Sequence, residues 1–290
     1  MPITASSCDT CQPVVDCNEI IQRAARFPGG SQHLATRREA LNVQFREYGR
    51  TGKRVSVLGF GAMRLPGNDD EAVAIMVRAL ELGVNYIDTA YGYNDGWSEQ
   101  MVGRAVRQFG RDKVYVSTKN PIWGDDSADG WWQRLERSLE RLGTGYIDFY
   151  KVVHSLSWES FQSFCRKGGP IEAMHKAREQ GLFRHCVFSS HDSPENIIKL
   201  VDTGMFEGML VQYNLLDRRN EEAIAHAYQC GLGVEIMGPV AGGRLGSSSE
   251  KLQGIIGASS TPELALRFVL AKPHVTVAFS GMSNMKQVEE

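Results

Sequence analysis

Residues 55–88 read VSVLGFGAMRLPGNDDEAVAIMVRALELGVNYID, and this stretch decides the fold. It opens on a short β-rich run, Val55–Phe60, closed by Gly61. Over Asp70–Leu82 the apolar residues Ala72, Ile75, Met76, Ala79 and Leu80 recur at helical spacing, which gives one apolar and one polar face. Gly83 ends that helix, because glycine adopts the left-handed conformation past a helix C-terminus without steric cost. Asn85–Asp88 is the next strand. Two strands joined by a crossover helix run parallel, so the unit is βαβ.

The alternation continues to the end of the chain. A helix is expected over Ser98–Phe109, with Ser98 as its cap and Glu99 in its first turn. Strand Val114–Thr118 precedes helix Ala128–Leu142, and strand Tyr146–Val153 precedes helix Pro170–Gln180, which has proline in its opening turn. Strand Phe183–Phe188 precedes helix Pro194–Thr203, and strand Gly208–Gln212 precedes helix Asn220–Cys230. Strand Gly233–Met237 leads through a glycine- and serine-rich loop to helix Thr261–Ala271. Strand Val275–Ala278 leads to a last short helical segment, Asn284–Glu290. Eight such units argue for an α/β fold of the closed (β/α)8 TIM-barrel kind, with its eighth helix cut short. The rival is an open doubly wound sheet, but no G-x-G-x-x-G follows the first strand.

Ahead of the first unit, Phe45–Val57 reads as a small hairpin with Thr51-Gly52 at its turn, placed to plug the bottom of the barrel. The barrel domain is thus expected over residues 45–290, and residues 1–44 form a lead segment without the alternation. Within the lead, Ile20, Ile21, Ala24, Ala25 and Phe27 make an apolar stripe at helical spacing over Glu19–Phe27. Either that stripe packs near the shortened end of the barrel or the lead is disordered.

Composition narrows the function classes. Hydrophobic residues are 42% and charged residues 23% of the 290, ordinary values for a globular enzyme. A formal net charge of -2 gives no pull toward nucleic acid or an anionic membrane. No apolar run reaches the ~18–20 residues that span a bilayer. No basic stretch followed by an apolar core opens the chain, so a cytoplasmic protein is expected. Cys165, Cys186 and Cys230 are then free thiols in core or near-surface positions. Cys8, Cys11 and Cys17 cluster as C-x-x-C-x5-C, a spacing that suits zinc or part of an iron–sulfur cluster. A fourth ligand is not evident nearby, and no metal site is assigned. Nothing in the sequence fixes the oligomeric state.

In barrels of this kind the chemistry sits at the C-terminal ends of the strands. Asp88, Tyr91 and Tyr93 follow strand two, and Lys119 and Asn120 follow strand three. His154 ends strand four; Ser189, Ser190 and His191 end strand five; Gln212, Tyr213 and Asn214 end strand six. A lysine, an aspartate, a tyrosine and a histidine therefore converge on one rim. A tyrosine phenol, with an ordinary pKa of about 10, is a reluctant acid at neutral pH. A lysine cation beside it favours the phenolate, an aspartate holds the lysine charged, and a histidine can orient a substrate oxygen. The set is a tuned acid facing a pocket, which a carbonyl needs as it accepts hydride and its oxygen gains charge.

These residues also carry a family resemblance. Tyr86-Ile87-Asp88-Thr89-Ala90-Tyr91-Gly92-Tyr93, with Ser98-Glu99 and Gly103-Arg104 after it, resembles the aldo-keto reductase signature. Val116-Ser117-Thr118-Lys119, Tyr150-Lys151-Val152-Val153-His154 and Gly59-Phe60-Gly61-Ala62-Met63 are similar to its other motifs, in order over Phe45 to Glu290. The Pro239-Val240-Ala241-Gly242-Gly243 run resembles a bacterial-type subgroup that often carries a ferredoxin-like tail, and no such tail follows strand eight here. The resemblance implies NAD(P)H-dependent reduction of a small carbonyl substrate, with Tyr93 as general acid and Asp88, Lys119 and His154 completing a tetrad. Tyr91 becomes a packing neighbour.

For the cofactor, NADP(H) with NAD(H) as the alternative, the resemblance puts Ser189, Ser190 and Gln212 at the nicotinamide. Gly61, Met237 and the loop Gly238, Pro239, Val240, Gly242, Gly243 and Arg244 follow toward the pyrophosphate. Ser280, Gly281, Met282, Gln287 and Glu290 lie at the adenosine end, where Lys286 is the local base. Among the remaining residues, His191 is expected at the pocket rim, Trp97 and Trp123 at the pocket wall, and Trp131 and Trp132 packed on a helix. The competing function is a nicotinamide-binding regulatory or redox-sensing subunit with slow turnover.

Overall fold

The computed structural model describes residues 43–121, 125–247, 249 and 260–290. The cysteine cluster of the lead, the Glu19–Phe27 stripe and Trp123 lie outside the described residues. From Phe45 onward the chain forms a hairpin and a closed barrel of eight parallel strands.

The hairpin comes first. β1 (Phe45–Glu47) pairs antiparallel with β2 (Arg54–Ser56), Phe45 opposite Ser56. Gly52, at φ 69°, turns the chain between them. The expected single strand Val55–Phe60 is in fact two, because Val57 hands the chain from hairpin to barrel. Its N–H donates to Gln44 O and its carbonyl accepts from Ala278 N.

The barrel strands are β3 (Leu58–Gly61), β4 (Tyr86–Asp88), β5 (Tyr115–Pro121), β6 (Ile147–His154), β7 (Phe183–Ser190), β8 (Gly208–Gln212), β9 (Gly233–Met237) and β10 (Val277–Ser280). They pair in sequence order, and β10 closes on β3. Around them lie α1 (Asp69–Glu81), α2 (Trp97–Phe109), α3 (Ala128–Leu142), α4 (Trp158–Phe164), α5 (Pro170–Glu179), α6 (Pro194–Asp202), α7 (Glu221–Gln229), α8 (Thr261–Leu270) and α9 (Met285–Glu289).

Side-chain caps satisfy the free N–H groups at several of these helix starts: Asn68 accepts from Glu71 N, Ser127 from Gly130 N, and Ser193 from Asn196 N. Ser98 is not a cap. The chain reaches α2 through a tight turn with Asn94 and Asp95 at φ 50° and 54°, so the helix starts at Trp97 with Gly96 before it. The buried Ser98 hydroxyl instead lies 2.7 Å from both Ala62 O and Thr89 Oγ1. α4 was not expected. Its Ser157–Ser160 capping box lacks the usual Glu or Gln, and its seven residues are too few to show a period. The short last helix is borne out: α9 has five residues and is tied to α1 by the Arg78–Glu289 ion pair at 2.6 Å.

The main core lies between the strands and the helices. Trp131 is fully buried in it and donates from Nε1 to Val152 O at 2.8 Å. Trp132 also sits on α3, beneath Lys176. A second cluster fills the barrel's lower interior: Tyr48, Val55, Tyr86, Phe149, Val187, Leu210, Val277 and Phe279. Tyr48 is the plug that the hairpin supplies. A Cβ on Gly208 would lie 2.1 Å from its hydroxyl oxygen and one on Gly233 2.2 Å from its Cε1, so glycine is what admits the side chain.

Candidate active site

A cleft of about 610 Å³ opens at the C-terminal ends of the strands. Asp88 is the last residue of β4, Lys119 lies within β5, and His154 ends β6. Tyr93 follows β4 in the turn before α2. All four line the cleft. Lys119 Nζ donates to Asp88 Oδ2 at 2.5 Å and to Thr89 O at 2.6 Å. The same ammonium lies 4.7 Å from the centroid of the Tyr93 ring. Tyr93 and His154 meet edge to face, with centroids 6.0 Å apart.

Electrostatics follow from burial and pairing. Burial pushes the Asp88 carboxyl up, but the Lys119 and Lys151 cations outweigh it and hold Asp88 below the usual carboxylate range. Burial pulls Lys119 down, and Asp88 and Tyr93 outweigh that, so Lys119 is held above its ordinary value. His154 is pushed down to about 4, first by burial and then by the Lys119 charge. It is therefore a neutral imidazole at neutral pH. His191, also in the lining, is lowered by burial and by Arg219.

Beneath this set lies a second ion pair. Lys151 is buried in β6, donating to Asp88 Oδ1 at 2.9 Å and Ser117 Oγ at 2.5 Å. Its Nζ is 2.6 Å from Glu235 Oε2 of β9. Glu235 Oε1 accepts from Tyr48 OH at 2.6 Å and Tyr86 OH at 2.5 Å.

Non-glycine residues with left-handed backbone cluster at this end of the barrel. Among the described residues they are Asn94, Asp95, Ser155 and Ala241. The first two follow Tyr93, Ser155 follows His154, and Ala241 belongs to the loop after β9. Strained backbone of this kind persists where surrounding structure fixes it, often at functional sites. Here Ser189 Oγ accepts from Ser155 N at 3.0 Å, which ties β7 to the turn past His154.

Of the residues expected at the cofactor, Gly61, Ser189, Gln212, Met237, Gly238, Pro239, Val240, Gly242, Gly243, Gly281 and Gln287 line the cleft. Five do not. Ser190 is buried, its hydroxyl donating to Leu156 O at 2.6 Å. Ser280 and Met282 are buried, Met282 in the main core. Arg244 turns toward Ala241 O, and Glu290 pairs with Lys286 outside the cleft. Trp97 also lies elsewhere, donating from Nε1 to Asp69 Oδ1 at 2.8 Å. Tyr91 sits under Arg141, whose Cζ is 4.6 Å from the ring centroid. Sequence reasoning missed Met63, Arg64, Leu210, Gly246, Ser247 and Phe279 in the lining. Arg64 was within reach, since it stands three residues past Gly61 at the end of the first barrel strand.

The model of the Aldo/keto reductase family matches residues 57–256. The chain belongs to the aldo-keto reductase family. It is accordingly an NAD(P)H-dependent oxidoreductase of small carbonyl compounds. Similar relatives include the uncharacterized oxidoreductase YqkF of Bacillus subtilis (strain 168), 28% identical over 279 residues, covering 84% of this chain and 89% of the relative. The NADH-specific methylglyoxal reductase of Escherichia coli (strain K12) is 27% identical over 224 residues, 68% of this chain and 67% of the relative. Among solved structures, the holo form of aldo-keto reductase AKR11C1 from Bacillus halodurans superposes with a TM-score of 0.75 at 32% identity, covering 86% of this chain and 89% of that one.

The cleft of this aldo-keto reductase suits a dinucleotide on its own chemistry. Gly242 and Gly243 adopt φ 67° and 100°, and among the described residues no atom beyond their chain neighbours lies within 4 Å of where their Cβ would stand, so the loop presents bare backbone. Arg64, exposed at the rim, has no ion-pair partner among the described residues and is available to a phosphate. Asn220 Nδ2 donates to Gln212 O at 2.9 Å and Asn214 Nδ2 to Gly238 O at 3.0 Å, which fixes the floor between β8 and β9.

Proposed function

We propose that the protein reduces a small aldehyde or ketone to the alcohol, with Tyr93 as the acid that protonates the carbonyl oxygen. The observation that carries this reading is the contact of Lys119 with Tyr93. The ammonium is buried and anchored by Asp88 and Thr89 O, and it also lies against a phenol that lines the cleft. As charge grows on the substrate oxygen, the Tyr93 hydroxyl gives up its proton, and the adjacent cation stabilises the phenolate left behind. Asp88 keeps Lys119 charged and in place. Neutral His154 flanks the same oxygen and orients it without adding a charge.

The cofactor, when bound, supplies the hydride to the carbonyl carbon. Ser189 and Gln212 would hold its carboxamide, and Gly238, Gly242 and Gly243 would pass under its pyrophosphate. Gly281, Ser283 and Gln287 would flank its adenosine, with Arg64 beside them. Both NADPH and NADH are proposed as donors, with a modest preference for NADPH.

The test is steady-state oxidation of NADPH and of NADH by the purified chain, against a panel of small aldehydes and ketones. Carbonyl-dependent oxidation is expected. Tight binding of either cofactor with no turnover on any member would replace this reading with that of a nicotinamide-binding sensor.

A further inference from the structure

The described interior of the barrel holds a charged column whose lower members, Lys151 and Glu235, no step above uses. It starts at Tyr48 of the hairpin and passes through Glu235 and Lys151 to Asp88 and Lys119. Side chains from β9, β6, β4 and β5 build it, all of them nearly or wholly buried. We propose that Lys151 and Glu235 are a positioning pair, which sets from beneath how much of the Asp88 charge is left to Lys119 and so how readily Tyr93 gives up its proton. The proposal rests on the carbonyl-reductase reading.

Asp88 has two oxygens and two lysines: Oδ2 faces Lys119, and Oδ1 faces Lys151. With Asp88 alone, two buried ammoniums would share one carboxylate. Glu235 supplies the second anion, and the column becomes neutral. Its geometry is one-sided, however. Lys151 touches Asp88 directly, whereas Glu235 lies behind Lys151 and is held by Tyr48 and Tyr86. The positive end of the pair therefore points at the tetrad.

Filling space does not require this arrangement. Barrel interiors are usually filled by branched apolar side chains. An apolar pair of similar volume in place of a buried ion pair is commonly as stable or more so. What it would not provide is a fixed cation against the second oxygen of Asp88. In a poorly polarisable interior such a charge acts over several ångströms with little screening. The other charged or titratable groups that line the cleft with Tyr93 are, among the described residues, Asp88 from β4, Lys119 from β5, His154 from β6, His191 after β7 and Arg64 after β3. None of them touches Lys151 or Glu235 except Asp88.

The test is a charge cycle. Glu235→Gln keeps the shape and the phenol hydrogen bonds but leaves Lys151 unbalanced, which favours the phenolate. The alkaline limb of the reduction profile, where the acid is lost, should move to lower pH by on the order of one unit. Lys151→Met removes the cation and should move that limb to higher pH by a similar amount. Lys151→Met/Glu235→Gln, which leaves no buried ion alone, should follow Lys151→Met in direction and covers the case in which the single variant does not fold.

A second readout needs no turnover. The absorbance difference between each protein and its Tyr93→Phe counterpart, followed against pH, reports the phenolate directly and should shift with the same signs. It therefore separates failure of this proposal from failure of the reductase reading. Opposite shifts for Glu235→Gln and for the variants lacking Lys151 support the pair. Unmoved limbs, or shifts of one sign in both, overturn it, because a purely structural pair would lower stability without reversing the direction.

Discussion

Arg64 Cβ lies 3.8 Å from the point where a Cβ on Gly281 would stand. The two residues reach this corner from different directions, Arg64 past the end of β3 and Gly281 past the end of β10, strands that pair in parallel with Phe60 opposite Ser280. The segment after β10 offers Lys286 as its base, and Lys286 is mostly exposed and faces Glu290. Arg64 thus enters this corner of the cleft from the end of the first barrel strand.

Arg64→Ala should weaken NADPH binding about 10- to 100-fold and leave NADH nearly unchanged, since a charge-assisted hydrogen bond contributes roughly 1.5–3 kcal/mol. Wild-type preference for NADPH should accordingly stay below about 150-fold. Calorimetric titration of both cofactors against both proteins checks this. Equal loss for the two would move Arg64 from the 2′-phosphate to the pyrophosphate.

His154 makes stability depend on pH in a defined direction. Its folded-state value is pushed down to about 4 from the usual 6.5, so the folded protein binds this proton less readily than the unfolded chain. The resulting stability is fully present above pH 6.5 and is lost as pH falls toward 4. Urea unfolding at pH 7 and pH 4.5 should show the wild type losing on the order of 2–3 kcal/mol more than His154→Gln. Equal losses would mean that His154 protonates freely in the fold.

Gly233→Ala should loosen the plug at the bottom of the barrel. The new Cβ would sit 2.2 Å from Tyr48 Cε1, and Tyr48 is fully buried. Overpacking of this kind costs about 1–3 kcal/mol. Thermal unfolding should show a lowered midpoint, and Tyr48→Leu in the same background should restore part of it by clearing the ring. An unchanged midpoint for Gly233→Ala would show that the hairpin moves without cost.

The barrel was legible because its units repeat a strong pattern. Ala128–Leu142, Gly208–Gln212 and Gly233–Met237 were read to the residue, each bounded by a cap or a glycine that punctuates the chain. Errors fell where local signals compete. Val55–Phe60 is continuous in propensity and is divided only by the hydrogen bonds of Val57 to two different partners. Ser98 has the chemistry of a cap and spends it on Ala62 and Thr89, a choice set by tertiary contacts.

The meeting of Asp88, Tyr93, Lys119 and His154 at one cleft was legible from strand ends and from the family's motifs together. The charged column beneath it was not. Lys151 and Glu235 are 84 positions apart, and nothing in an alternating strand says which inward residues meet across a barrel. Ser190 and Met282 were misplaced for a related reason. Position after a strand does not fix which way a side chain turns, and theirs turn into the fold.

The proposed acid is Tyr93 and not its neighbour Tyr91. Tyr93 lies over Lys119 and beside His154, whereas Tyr91 is stacked under Arg141 with its backbone bonded to Lys119 O and Arg141. The measurement is kcat/KM for carbonyl reduction by Tyr93→Phe and by Tyr91→Phe, with cofactor affinity determined for each. Tyr93→Phe should lose about 10²–10⁴-fold with cofactor binding intact, and Tyr91→Phe much less. Near wild-type reduction by Tyr93→Phe, or the reverse ranking of the two tyrosines, would contradict it.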